Sequence, residues 1–288
     1  MLESRPFTPI RPSHIFLADV HLGRETNNAP EFQDELIALI QWVKMHSASL
    51  YIIGDLFDYW MEFDSETKTR LTESTPAHVS HVIPLFGIPT LKAIEECNAS
   101  EKPIKYVLGN HDYWDNGLFH QIGCDCTKEG FIIELDGKKI ALLHGDGLPS
   151  TRTKIDKTTL RNLERPVFHT ILRSKTFVRV FQYVFKPVTA WKIMRWFSNN
   201  SRKKTDQPVE VMDSKITHFI HTTDIDVVVA GHDHQARTVH TEHGVYYNMG
   251  PFFDNMKLLV YSDGSFIHAK WNADKNEFMT TAPKSYSV

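Results

Sequence analysis

The chain has 288 residues, 41% of them hydrophobic and 23% charged, with a net charge of −3. That suffices to bury a core without disulfide or metal staples, in one α/β or sandwich-like domain with room for an inserted subdomain. Cys97, Cys124 and Cys126 are an odd number without a framework, which argues against a secreted disulfide scaffold; the C-x-C pair is too sparse for structural zinc, so reduced thiols are expected. The opening "MLESRPFTPIRPSH" lacks the apolar stretch of a signal peptide, and no run of about 18 apolar residues follows. The expectation is a cytoplasmic protein.

The first half alternates between two periodicities. "HIFLA" (His14 to Ala18) reads as a strand, "EFQDELIALIQWVKMH" (Glu31 to His46) has apolar residues at helical spacing, and "LYIIG" (Leu50 to Gly54) is again a strand. "HVSHVIPLFGIPTLKAIEEC" (His78 to Cys97) reads as helix with a proline interruption, and "IKYVLG" as a third strand. Strand, helix, strand, helix, strand means βαβ units and a parallel sheet. Further on, "FIIEL" and "KIALLHG" flank "DGK", a hairpin signal. "DVVVAG" (Asp226 to Gly231), "GVYYNMG" and "KLLVYS" read as later strands. Between the halves, residues 151–224 read as a helical, aromatic and basic insert within a single domain spanning 1–288.

Each core strand hands over to the same kind of polar residue. Asp19 and His21 follow "FLA"; Asp55 and Asp58 follow "YIIG"; Asn110, His111 and Asp112 follow "YVLG"; His144 and Asp146 follow "ALL"; His232 and His234 follow "VVAG". One histidine at a strand end says little, but five such ends together do not arise from turn chemistry alone, and open α/β sheets place their ligand sites outside the carboxyl ends of strands. Gly54, Gly109 and Gly231 fit tight turns where backbone approaches a site. Carboxylate, amide oxygen and imidazole without thiolate suit manganese, iron or zinc. Asp19, His21, Asp55, Asn110, His144, His232 and His234 are too many for one ion; two ions sharing a carboxylate would use all seven. A pair of divalent ions roughly 3.5–4 Å apart is a known device for displacement at phosphorus.

The ordered series Asp19-Val20-His21, Gly54-Asp55-Leu56-Phe57-Asp58, Gly109-Asn110-His111-Asp112, His144 and Gly231-His232-Asp233-His234 resembles the calcineurin-like metallophosphoesterase family. The resemblance implies an α/β, four-layer fold: two mixed β-sheets packed face to face and flanked by helices. It also implies that Asp19, His21, Asp55 and His234 hold one divalent metal ion, and that Asp55, Asn110, His144 and His232 hold a second. His111 would face the scissile phosphate, stabilising charge or protonating the leaving group. Asp112 and Asp58 are candidates for orienting such groups, with a turn or capping role as the alternative.

The segment Leu160 to Lys204 carries eleven Lys or Arg against the single acid Glu164, a net of +10 that leaves the rest of the chain at −13. It also carries Phe177, Phe181, Tyr183, Val184, Phe185, Trp191, Ile193, Met194, Trp196 and Phe197. Basic residues between large apolar ones read as a membrane-surface element or a lid over an acyl chain. The alternative is a helical subdomain that buries its aromatics. A nucleic-acid surface is disfavoured because so many of the apolar residues are aliphatic. The insert emerges beside the metal motifs, between His144 and the final G-H-x-H. This arrangement, "LLHGD", "SRKK" (Ser201 to Lys204) and "VMD" (Val211 to Asp213, expected before the last helix) resemble the UDP-2,3-diacylglucosamine diphosphatase branch of the family, in the lipid A pathway. That resemblance implies a lipid-linked nucleotide substrate cleaved to lipid X and UMP, manganese as cofactor, and peripheral contact with an anionic membrane at the cytoplasmic face of the inner membrane. No nucleic acid and no obligate protein partner are expected. Two departures stand out: many members of the branch read G-N-R-D where this chain has His111, and Arg152 replaces an expected carboxylate. Asn110, His111, Ser201 and Arg202 are the candidates for binding substrate. The competing enzyme reading is a phosphodiesterase or phosphatase acting on soluble nucleotides. A binding scaffold without catalysis is disfavoured because all seven ligand positions are intact.

Overall fold

In the computed structural model the described residues are 10–24, 30–62, 87–185, 189–190, 192–194, 196–197 and 209–288. Strands β1 (His14–Leu17), β2 (Ser49–Ile53), β3 (Lys105–Val107) and β4 (Asp125–Thr127) run parallel in that order. Strands β12 (Lys257–Ser262), β13 (Ser265–Asn272) and β14 (Glu277–Thr280) extend this sheet antiparallel on the far side of β1, giving seven strands. Helices α1 (Pro30–Met45) and α2 (Ile88–Asn98) lie between consecutive parallel strands in the chain, as crossovers must. The period of two along each strand sorts its side chains. Ile15, Leu17, Leu50 and Ile52 pack with Leu36, Leu39 and Ile40 of α1 and Ile94 of α2. Phe16, Ala18, Tyr51 and Ile53 point the other way, toward a second sheet.

That second sheet has eight strands, in the order β15 (Lys284–Ser287), β10 (Arg237–His240), β11 (Val245–Asn248), β9 (Val227–Ala230), β6 (Lys138–Leu143), β5 (Phe131–Leu135), β8 (Thr159–Arg161), β7 (Lys154–Asp156). Phe131, Ile140, Leu142, Val227 and Val229 meet the first sheet across the sandwich. The opposite residues, Ala141, Leu143, Val228 and Ala230, are covered by Met212, Ile216, Phe219 and Ile220, all four on one helix spanning Val209–Thr222. Each such fully buried Leu, Ile, Val or Phe stabilises the fold by about 1.5–3 kcal/mol. The β5–β6 hairpin turns at Asp136 (φ 50°) and Gly137 (φ 75°), both left-handed, as a two-residue turn between twisted strands requires. The layers are therefore helix, sheet, sheet, helix.

The structure redraws parts of the expected outline. Residues 154–161 are not helical: β7 and β8 form an exposed hairpin at the edge of the second sheet. A short helix α3 (Leu118–Gln121) precedes β4; among the described residues the region itself has helices α4 (Val167–Leu172), α5 (Lys175–Val184) and helical residues within 189–197. The last helix, α6 (Val209–Thr222), belongs to the outer layer of the sandwich and contains the "VMD" residues instead of following them. Pro89 sits in the first turn of α2, where a missing N–H costs nothing, so it starts the helix and does not interrupt it. The expected helical residues 78–86 lie outside the described residues.

The basic, aromatic insert divides its apolar residues between two duties. Phe177, Val178, Phe181 and Phe185, with Leu172, Ala190 and Met194, pack onto Tyr59, Met61, Tyr113 and Trp114 of the loops after β2 and β3. Phe181 meets the Trp114 ring at 5.2 Å. On the other side, Tyr183 is 92% exposed and Val184 and Trp196 are each 61% exposed.

Candidate metal centre

Five strand ends converge between the two sheets. At this place the backbone is bent into conformations that L-residues avoid: Asp19, His21, Asp55, His232 and His234 all have left-handed φ, between 46° and 75°. Each costs of order 1–3 kcal/mol and persists only where its surroundings over-determine it. They do. Asp19 N–H donates to Gly54 O at 3.1 Å and His21 N–H to Asp55 O at 2.9 Å. His111 N–H donates to Asp55 Oδ1 at 2.8 Å, and His232 N–H to Asp19 Oδ2 at 2.9 Å. Two glycines permit this crowding. A Cβ on Gly54 would lie 2.2 Å from His144 Nδ1, and one on Gly109 would lie 2.2 Å from Asp55 Oδ1.

The side chains follow from these turns. His144 Nδ1 lies 2.9 Å from Ile53 O, an acceptor only, so Nδ1 carries a proton and Nε2 faces inward. Nε2 sits 3.1 Å from Asn110 Oδ1 and 3.4 Å from Asp55 Oδ2. His111 Nδ1 likewise donates to Asp58 O, which turns its Nε2 toward Asp55 Oδ2 at 3.9 Å. His21 Nε2 is 3.7 Å from Asp55 Oδ2 and 3.3 Å from His234 Nε2, which in turn is 3.5 Å from Asp19 Oδ1. Asp58 Oδ1 stands 3.7 Å from His21 Nδ1, where it can orient that ring.

The electrostatics call for positive charge at the centre. Burial alone would raise the Asp55 carboxyl, but the imidazoles of His144, His111 and His21 hold it well below the usual carboxylate range. Burial would lower His144, yet Asp55, Asp19 and Asp146 push it up to about 10. His232 is pushed down to about 4 by burial and by His144. Protons are thus the counter-charge for buried carboxylates, a place that divalent cations would take.

The residues fit such cations. Asp19 is fully buried and its Oδ1 accepts no hydrogen bond. Among the described residues, three sets of donor atoms lie within 4.8 Å of one another: Asp19, His21 and His234; Asp19, Asp55 and His144; His21, Asp55 and His111. Two of the three contain Asp55. A mixed nitrogen and oxygen donor set suits manganese, iron or zinc.

Of the other expected site residues, Asp112 is fully buried beneath this floor. Its Oδ2 accepts the N–H groups of Asp55 at 2.7 Å and Gly109 at 3.1 Å, tying two strand-end turns together. Burial and then Asp55 push its carboxyl up to about 7. Ser201 and Arg202 lie outside the described residues.

Above the floor opens a cavity of about 710 Å³, walled on the far side by the insert through Phe168, Leu172, Met194 and Phe197. Sequence reasoning missed how the insert is anchored. Arg165 Nε and Arg173 Nη2 converge on Asp146 Oδ2 at 3.5 and 3.2 Å, Tyr113 Oη donates to the same oxygen, and Arg173 lies 4.3 Å over the Tyr113 ring. Burial opposes ionisation, but Arg173, His144 and Arg165 hold the Asp146 carboxyl well below the usual range. In a run of eleven cations nothing marks these two as buried; the only signal was Asp146 itself, two residues after His144.

The sequence matches the family described as calcineurin-like phosphoesterase over residues 14–236. A UDP-2,3-diacylglucosamine hydrolase of Vibrio cholerae serotype O1 is 23% identical over 266 residues, covering 88% of this chain and 96% of that protein. Its namesake from Hamiltonella defensa is 24% identical over 272 residues, covering 91% and 93%. A solved phosphoesterase from E. coli superposes with a TM-score of 0.42 at 13% identity, covering 94% of this chain and 98% of that one. The family match runs from the first residue of β1 past His234, and so takes in all five polar strand ends. The chain belongs to the calcineurin-like phosphoesterase family and is a phosphoester hydrolase.

Proposed function

We propose that the protein hydrolyses the pyrophosphate of UDP-2,3-diacylglucosamine, releasing UMP and the acylated sugar phosphate, lipid X. The observation that carries this reading is that one cavity has two unlike walls: His21, Asp55, Asn110 and His111 on the floor, Phe168, Leu172, Met194 and Phe197 on the insert. A pyrophosphate needs the first wall and an acyl chain the second. The names of the similar hydrolases point to the same substrate.

Asp19, His21, Asp55 and His234 would hold one divalent cation, and Asp55, Asn110, His144 and His232 the other, with manganese the first choice. When bound, such ions supply positive charge to phosphoryl oxygens and lower the pKa of a water. The chain's own part is geometric. Asp55 is held by the His111 N–H so that its other oxygen faces both halves of the site. His111, its Nδ1 fixed on Asp58 O, offers Nε2 to the cavity, where a proton on that atom goes to the leaving phosphate oxygen as the P–O bond breaks. The insert excludes water above the reacting phosphorus and receives the acyl chains. Its exposed Tyr183, Val184 and Trp196, set among basic residues, would rest on an anionic membrane face, each cation near the surface contributing about 1 kcal/mol. No helix among the described residues is long and apolar enough to cross a membrane, so the contact proposed is peripheral, at the cytoplasmic face. Ser201 and Arg202 remain candidates for the headgroup.

Incubation with manganese and UDP-2,3-diacylglucosamine should release UMP, and Asp55→Ala should not. Absence of UMP alongside hydrolysis of a small chromogenic diester would move the substrate to another phosphodiester, such as a soluble nucleotide.

A further inference from the structure

The loop Gly231–His234 is bent at two non-glycine residues, His232 with φ 75° and His234 with φ 58°. Between them stands Asp233, whose carboxylate joins a largely buried polar chain. Asp233 Oδ1 accepts from Asn248 Nδ2 at 2.8 Å, and Asp233 Oδ2 is 2.7 Å from Arg237 Nη2. Arg237 is 2% exposed. Its Nε and Nη2 both donate to Asp213 Oδ1 on α6, at 2.9 and 2.7 Å, and its Nη1 donates to Gln235 O at 2.9 Å. The remaining Asp213 oxygen, Oδ2, accepts from Tyr286 Oη.

Tyr286 sits on β15, an edge strand of four exposed residues. That strand pairs parallel with β10, which begins at Arg237, in the register Arg237↔Lys284 and Val239↔Tyr286. A short edge strand with every residue exposed and one neighbouring strand has little packing of its own to hold it. Here the tie is a phenol inserted into the acid–guanidinium chain that ends at the loop bearing His232 and His234.

We propose that β15 is a strap for the metal loop, and that Tyr286 is a positioning residue for His232 and His234, acting through Asp213, Arg237 and Asp233. The inference rests on the two-cation reading of the site. With the strap in place, Asp213 is fixed against Arg237, Arg237 holds Asp233, and the two imidazoles stay in their strained turns. Without it, Asp213 is free to change rotamer, Arg237 loses its fixed partner, and the histidines present their nitrogens in a wider range of directions. Partners one step behind metal ligands change affinity or activity by about 10–100-fold when removed. Tyr286 lies further back, so the lower end, about 10-fold, is expected.

The test is a manganese-binding isotherm on the full chain, by calorimetry, for wild type, Tyr286→Phe, a variant ending at Thr280, and Tyr261→Phe. Tyr261 is the control: its hydroxyl also donates to a carboxylate, Asp136 Oδ2 at 2.5 Å, but at the β5–β6 hairpin. Wild type should take up two ions. Tyr286→Phe and the shortened chain should bind at least one of them about 10-fold more weakly. Their metal-free melting should be close to wild type, and turnover of a small diester should recover at saturating manganese. Tyr261→Phe should match wild type throughout. A Tyr286→Phe isotherm identical to wild type, or an equal loss in Tyr261→Phe, overturns the strap and leaves the two-cation site standing. A wild-type chain that takes up no manganese overturns both.

Discussion

The floor of the cavity and its roof are built on opposite plans. On the floor, the candidate residues leave core strands within a few positions, and several backbones are pinned by a neighbouring turn: Asp19 to Gly54, His21 to Asp55, His111 to Asp55, His232 to Asp19. The roof is held by side chains instead of by its backbone. Phe177, Phe181 and Phe185 pack on Tyr113 and Trp114, and Arg165 and Arg173 reach Asp146, while Tyr183, Val184 and Trp196 face outward. Rigid loops on sheet ends suit chemistry that must hold charge at fixed distances. A half-exposed amphipathic roof suits a partner with variable shape, such as an acyl chain or a membrane. On the proposed reading, the reaction belongs to the floor and the choice of substrate to the roof.

The strongest way to break that division is Asp55→Ala. It removes the carboxylate between His21, His111 and His144, so turnover of both lipid nucleotide and small diester should vanish, and bound cation should drop from two toward none. Elemental analysis of the dialysed protein checks this, and full activity would end the shared-carboxylate account. His111→Ala should keep both cations and lose roughly 10²–10⁴ in kcat, the usual worth of one acid–base group. Steady-state kinetics beside the same elemental analysis decide it, and an unchanged kcat removes His111 from the chemistry.

A third substitution tests the joint between the regions. Asp146→Asn leaves Arg173 without its buried charge partner, while Arg165 keeps Glu129 at 2.9 Å, and should cost about 3 kcal/mol at neutral pH. Because the folded carboxyl is depressed, this advantage of wild type is fully present above the unfolded pKa near 4 and fades as pH falls below it. Denaturant unfolding of the metal-free proteins should show a gap that is narrower at pH 3 than at pH 7, since the loss is complete only below the folded pKa; a gap independent of pH would deny the ion pairs. The smallest effect is expected at the outer face. Trp196→Ser with Phe197→Ser should weaken binding to anionic vesicles several-fold and leave the small-diester rate intact, since both side chains are substantially exposed. Equal loss on both substrates would make them core residues.

Legibility in the sequence follows the same division. The floor could be read because each of its residues follows an apolar run: "FLADVH", "YIIGD", "YVLGNHD", "ALLHGD" and "VVAGHDH" announce a strand and then its functional end. The βαβ order of β1, α1, β2, α2 and β3 was legible for the same reason. Strands such as β4 and β7, three residues each, carry too few positions for a period of two to show, and β15 is polar throughout. The β7–β8 hairpin was absorbed into a helical reading because its "KIDKTTLR" lacks a buried face except at Leu160. Inward and outward aromatics of the roof look alike in sequence; only packing on Trp114 separates Phe181 from Tyr183. The Asp146–Arg173 and Asp213–Arg237 contacts join residues distant in sequence, which no local pattern records.

The most direct measurement is the ratio of kcat/KM on UDP-2,3-diacylglucosamine to that on a small diester, for wild type and for the Trp196→Ser, Phe197→Ser double variant, with manganese saturating. If the floor performs the reaction and the roof selects the lipid, wild type strongly prefers the lipid nucleotide and the double variant loses that preference through the lipid substrate alone. A ratio that is low in wild type, or unchanged in the variant, contradicts the division.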